Sequence, residues 1–117
     1  MSAPQPVDIT LHQASRVLEI AFDDGARFRL PCEYLRVYSP SAEVRGHGKG
    51  QEVLQVGKQD VNITRLEPIG HYAVRPTFSD GHDSGIYTFE LLYNLGAHQA
   101  ELWAEYLRRL KDAGYER

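Results

Sequence analysis

His82 stands between Asp80 and Asp83, directly after Gly81. One imidazole flanked by two carboxylates in a turn is the kind of donor set that hard or borderline metal ions accept. Cys32 is the single thiol of the chain and follows Pro31. A thiol at a helix start can be acidified by the helix N-terminus, yet no base lies near it in sequence, and a buried unreactive cysteine is the commoner role. The run Arg45-Gly-His-Gly-Lys-Gly-Gln51 gathers glycines and basic groups as phosphate-binding loops do. It lacks the spacing of a P-loop, and Gln51 cannot replace the magnesium-binding hydroxyl, so it reads as a solvated loop. The remaining histidines, His12, His47, His71 and His98, are scattered, and no two of them join a carboxylate as a non-haem iron triad would require. No Ser-His-Asp order or nucleophile elbow stands out.

Two blocks carry more information than any single residue. These are Leu30-Pro-Cys-Glu-Tyr-Leu-Arg-Val-Tyr-Ser-Pro-Ser-Ala-Glu-Val-Arg45 and Phe78-Ser-Asp-Gly-His-Asp-Ser-Gly-Ile-Tyr87. Together they resemble the gamma-butyrobetaine hydroxylase-like N-terminal domain, over about residues 7 to 96. That module is found alone in bacteria, fused to carnitine-pathway oxygenases, and attached to iron-sulfur carrier ATPases. In oxygenase members the first block reads approximately Leu-Arg-Asp-Asn-Cys-x-Cys-x-x-Cys, and its cysteines bind a structural zinc together with a histidine of the second block. The resemblance places Ser39, Ser41 and Val44 at the three cysteine positions here, and His82 at the histidine. Neutral hydroxyls are poor zinc ligands and valine offers none. The family's zinc site is therefore expected to be lost, its loop held by hydrogen bonds and apolar packing.

At 117 residues the chain reads as one domain with enough core to fold without a staple. The formal charge is -3 and both signs are interspersed, which argues against nucleic acid or an anionic membrane as partner. One cysteine forms no internal disulfide, and the start Met-Ser-Ala-Pro-Gln-Pro-Val-Asp has no signal-peptide pattern. No apolar run reaches the roughly 18 to 20 residues of a membrane helix. A cytoplasmic protein is expected.

The elements that must position these residues follow from periodicity. Residues 1 to 6 carry two prolines and are expected to be disordered. Val17, Leu18, Ile20 and Phe22 lead to Asp23-Asp24-Gly25, then Phe28 and Leu30 resume, which is a hairpin pattern. Pro31 can open a helix bearing Tyr34, Leu35 and Tyr38, which Pro40 stops. Val61, Ile63 and Leu66 lead through Gly70-His71 to Tyr72, Val74 and Phe78, a second hairpin. Thr88 is placed to cap a short helix from Phe89 to Asn94, with Gly96 ending it. Residues 97 to 113 put Leu102, Trp103, Tyr106, Leu107 and Leu110 on one face, an amphipathic C-terminal helix that could grip a partner but is assigned to the core, docked on its own sheet. The two halves also echo each other at an offset of 56, as in Phe22/Phe78, Asp24/Asp80 and Gly25/Gly81. Shared turn chemistry and an internal duplication both explain this. The expected fold is α+β, a mostly antiparallel sheet of two hairpins with packed helices.

The functional expectation is a non-enzymatic binding or adaptor module without a cofactor. The resemblance implies an iron-sulfur carrier ATPase, or another metal-trafficking protein, as its partner. Arg36, Tyr38, Arg45, His47 and Lys49 are the candidate contact surface. The alternative is an accessory domain that binds iron or zinc through His82, Asp80 and Asp83. A small-molecule enzyme would need a pocket joining Arg36, Tyr38, His82 and Tyr87.

Overall fold

A computed structural model of the protein describes residues 3–45 and 53–117. The chain order is β1 (Pro6–His12), β2 (Val17–Phe22), β3 (Arg27–Pro31), α1 (Cys32–Val37), α2 (Ala42–Arg45), β4 (Ile63–Ile69), β5 (Ala73–Phe78), β6 (Tyr87–Thr88), α3 (Phe89–Ala97) and α4 (Gln99–Asp112). The strands form two three-stranded antiparallel sheets, β1-β2-β3 and β4-β5-β6. This is the α+β architecture that the alternating patterns lead one to expect, with each hairpin extended by a third strand. β1 begins at Pro6, and ahead of it Gln5 and Asp23 exchange backbone and side-chain hydrogen bonds.

One core joins the halves. Leu18, Ile20, Phe22, Leu30 and Leu35 pack with Ile63, Val74, Phe78, Tyr87, Leu92 and Leu95. Alternation places Leu18 and Ile20 of β2 inward, while Glu19 faces out to Arg27 and Arg29 of β3. Pro68 lies on β4, whose outer edge needs no donor. Pro76 is opposite Leu66, beyond the two residues by which β6 pairs with β5, so its missing N–H breaks no ladder.

The echo between the halves is physical at the turns. Asp24 Oδ1 accepts from Ala26 N at 2.9 Å, and Asp80 Oδ1 accepts from His82 N at 3.1 Å. Phe22 N donates to Ala26 O and Phe78 N to His82 O, while Gly25 and Gly81 have φ of 91° and 90°. An aspartate that bonds two residues ahead and a left-handed glycine close both turns in the same way. Beyond the turns the halves diverge, since β3 pairs over five residues and β6 over two.

The helices follow their local signals with two differences. Thr88 Oγ1 accepts from Leu91 N at 3.0 Å and caps α3 as expected. Gly96, expected to end that helix, lies inside it, and α3 continues to Ala97. The reason is tertiary: a β-carbon at Gly96 would stand 2.3 Å from Phe28 Cγ, so the glycine lets α3 approach β3. α4 packs on α1, not on the sheet as expected: Tyr106 and Leu110 are buried in one cluster with Val37, against which Trp103 packs, while Leu107, expected in the core, is exposed. At 100° per residue Leu107 falls at the rim of the stripe centred on Trp103, Tyr106 and Leu110. Gly114 then closes the helix, with Tyr115 N reaching back to Leu110 O.

Candidate functional site

Pro40 stops α1, and the segment from Tyr38 to Ser41 turns back toward the β5–β6 connection. Ser39 and Ser41 hold this turn. Ser39 Oγ accepts from Ser41 N at 3.2 Å, and Ser41 Oγ accepts from Glu43 N at 3.2 Å, which starts α2. Both hydroxyls also reach across the fold. Ser39 Oγ lies 2.8 Å from His82 Nε2, and Ser41 Oγ lies 2.7 Å from Ser84 Oγ. The backbone at Gly85 closes over Ser39, because a β-carbon there would stand 2.5 Å from Ser39 Oγ.

His82 is buried, and its second nitrogen, Nδ1, is 3.2 Å from Glu43 Oε2. A carboxylate can only accept, so Nδ1 carries the proton and Nε2 accepts from the Ser39 hydroxyl. That assignment satisfies the neutral ring. Burial lowers the His82 pKa first and the Arg36 charge lowers it further, while Glu43 and Asp80 pull the other way.

Asp80 is the second hub. Its Oδ2 accepts from Arg36 Nε at 2.9 Å and Lys58 Nζ at 2.7 Å. Burial alone would raise this carboxyl, but Lys58, the His82 backbone N–H and Arg36 outweigh it and hold the pKa at about 2. Arg36 Nη1 is buried with no hydrogen-bond partner among the described residues. Tyr87 completes the frame, donating its hydroxyl to Leu35 O at 2.5 Å.

The sequence candidates divide accordingly. Asp80 and His82 meet through the backbone of one turn, but their side chains serve different partners, and Asp83 is exposed. Among the described residues no three His, Cys, Asp or Glu side chains are gathered to hold a metal ion. Arg36, a candidate for the contact surface, is buried and turned onto Asp80; an arginine enters a core where a carboxylate pairs with it. Tyr38 is half-buried, with its hydroxyl on Leu102 O at 2.6 Å, and Arg45 is exposed. His47 and Lys49 lie outside the described residues. Cys32 is buried and its thiol is pushed up by that burial, which disfavours the reactive thiolate. Glu43, Lys58 and Ser84 are members of the network that local reading does not find. Ser39 and His82, and Ser41 and Ser84, share a separation of 43, so the two facing segments match with a period of two that only the fold reveals.

The family model described as gamma-butyrobetaine hydroxylase-like, N-terminal, matches residues 9–93. The chain belongs to this family. Two NMR solution structures are similar to it over 99% of its length. One is 49% identical with a TM-score of 0.84 and is covered over 86% of its own chain. The other is 46% identical with a TM-score of 0.85 and is covered over 91%. A crystal structure from Acidithiobacillus ferrooxidans, of a protein of unknown function in the DUF971 family, is 41% identical with a TM-score of 0.69. It aligns over 82% of this chain and 99% of its own. Among curated proteins none matches.

In this gamma-butyrobetaine hydroxylase-like domain the residues present do not fit the zinc that the resemblance implies for oxygenase members. Ser39 and Ser41 hydroxyls are neutral, Val44 is a buried apolar side chain, and both His82 nitrogens are engaged. Hydrogen bonds join the two loops at this place.

The charge network predicts how the domain responds to acid. Asp80 has a folded pKa of about 2 against an ordinary 3.8, so its contribution is present above pH 4 and lost as pH falls toward 2. His82 is also depressed, so the neutral ring favours the fold above about pH 6.5 and the benefit declines on acidification. Both therefore give stability that falls with falling pH. Asp80→Asn is expected to cost up to about 2 kcal/mol at pH 7. It should also flatten the fall between pH 4 and 2 in urea titrations; equal slopes for wild type and variant would refute the assignment.

Proposed function

We propose that this domain is a non-enzymatic protein-binding module whose contact surface is the cleft bordered by α1, α2, α3 and α4. The observation that carries the reading is the composition of that cleft. It measures about 250 Å³ and combines Tyr38, Val44, Val53 and Leu91 with Arg45 and Arg109. An apolar floor with two guanidinium groups suits a partner segment that inserts one apolar side chain and presents a carboxylate. Tyr38 and Arg45 of the sequence-derived surface line this cleft, and the Ser39–His82 network fixes the loop from which they project.

Catalysis is the weaker reading. Ser39, His82 and Glu43 stand in the bonding order of a serine hydrolase triad, but Ser39 is 1% exposed and covered by the Gly85 backbone. A nucleophile must reach its substrate, whereas this hydroxyl spends its bonds on holding the loop. Metal binding through His82, Asp80 and Asp83 would first have to release Asp80 from Arg36 and Lys58.

The partner to test first is an iron-sulfur carrier ATPase, since the chain resembles the module attached to such proteins. Calorimetry should detect a complex that an unrelated ATPase does not form. Arg45→Glu with Arg109→Glu should weaken it at least about tenfold, with a reduced salt dependence. Unchanged affinity in the double variant would remove this cleft as the interface, and no binding would remove this partner.

A further inference from the structure

Glu33, in the first turn of α1, is only 6% exposed. A buried carboxylate needs a charged partner with good geometry, and among the described residues Arg117 supplies it. Arg117 Nε donates to Glu33 Oε2 at 3.0 Å, and its Nη2 donates to Oε1, so the planar fork covers both oxygens. The same guanidinium lies over Trp103, 5.0 Å from the ring centroid. Trp103 is itself fixed by Tyr34 at 6.3 Å and Tyr106 at 5.3 Å between ring centroids.

The surroundings are larger than this contact needs. A cavity of about 490 Å³ opens here, bordered by Glu33, Tyr34, Gln99, Trp103 and Arg117. Arg117 reaches it from the exposed segment that follows Gly114, and its own side chain is 43% exposed. A carboxylate at the base and an indole face as a wall recognise a flat cation by charge, by two parallel hydrogen bonds and by stacking. The core has no need of an acid at position 33, where an apolar residue would bury at lower cost.

We propose that Glu33 and Trp103 form a guanidinium-binding site, occupied in cis by Arg117 and able to take an arginine side chain in trans when Arg117 leaves. The cis arginine acts as a competitor with a high effective concentration, because it is tethered beside its site. Free arginine derivatives and arginine within a partner protein present the same group, and the two sources are separable.

Trp103 is the single tryptophan, so its fluorescence and indole N–H resonance report the site directly. The 117-residue protein carrying Arg117→Ala, shown to be folded by its amide spectrum, is titrated with N-acetyl-arginine amide. A second titration uses the peptide Ala-Gly-Tyr-Glu-Arg, which repeats residues 113–117. Saturable shifts at Trp103 and Glu33 are expected in the variant, at least about tenfold weaker in wild type. N-acetyl-lysine amide should bind at least about tenfold more weakly, since an ammonium cannot span both oxygens. Tighter binding of the peptide than of the amide would show that the site reads an arginine together with its flanking residues, as in a protein, and equal binding that it reads the guanidinium group alone. Shifts that stay linear in the variant, equal affinity for wild type and variant, or no preference over lysine would each overturn the proposal.

Discussion

Tyr87→Ala is expected to destabilise the domain by about 3–5 kcal/mol, and Tyr87→Phe by about 1–3 kcal/mol. Tyr87 is fully buried and packs on Phe78 in the core that joins the two halves. Its hydroxyl donates to Leu35 O, one of the terminal carbonyls that a helix as short as α1 leaves without an internal partner. Removing the ring opens a cavity, while removing the hydroxyl alone leaves that carbonyl buried and unpaired. A domain of this size has only about 5–15 kcal/mol in reserve, so the alanine variant should be near its unfolding transition at 25 °C. Urea unfolding at neutral pH measures both. A phenylalanine variant as stable as wild type would mean that the hydroxyl contributes nothing.

Three other tyrosines serve the same purpose. Tyr34 donates to Leu95 O near the end of α3, Tyr38 to Leu102 O in α4, and Tyr106 to Gln55 O. Each brings a large apolar body with one polar end, so a single residue fills apolar space and finds a backbone acceptor for its own hydroxyl. Tyr34 and Tyr87 are held protonated by burial, which keeps them donors across the physiological range.

Gly96→Ala should destabilise the domain by about 1–3 kcal/mol, although alanine is ordinarily about 1 kcal/mol better than glycine inside a helix. The added methyl would fall 2.3 to 2.6 Å from three ring atoms of Phe28. Phe28 cannot retreat freely, since its ring is set edge-on against Phe22 at 5.9 Å and Tyr93 at 5.3 Å. Overpacking then outweighs the propensity gain. Pairing the change with Phe28→Leu should recover part of the loss, and the double-mutant cycle gives the coupling. A more stable Gly96→Ala variant would mean that α3 and β3 are not in this contact.

Local physics made much of this fold legible. The Asp24-Gly25 and Asp80-Gly81 turns, the Thr88 cap and the stripe of α4 each depend on residues within a few positions of one another, so their types and spacing suffice. The poor fit of Ser39, Ser41 and Val44 to zinc is also a local property, because neutral hydroxyls and a valine are not thiolate ligands. The contacts that define the candidate sites are of another kind. Ser39 and His82 are 43 residues apart, Arg36 and Asp80 are 44, and Glu33 and Arg117 are 84. Nothing in Arg36 itself distinguishes a core guanidinium from a surface one until Asp80 is brought to it. Gly96 has the composition of a helix stop and becomes a point of close approach only because Phe28 faces it. The sequence by itself determined the turns and the amphipathic faces, since these are set by neighbours along the chain. Only the tertiary structure decided which polar groups are buried together, since a buried charge or hydroxyl is tolerable only where folding has delivered its partner.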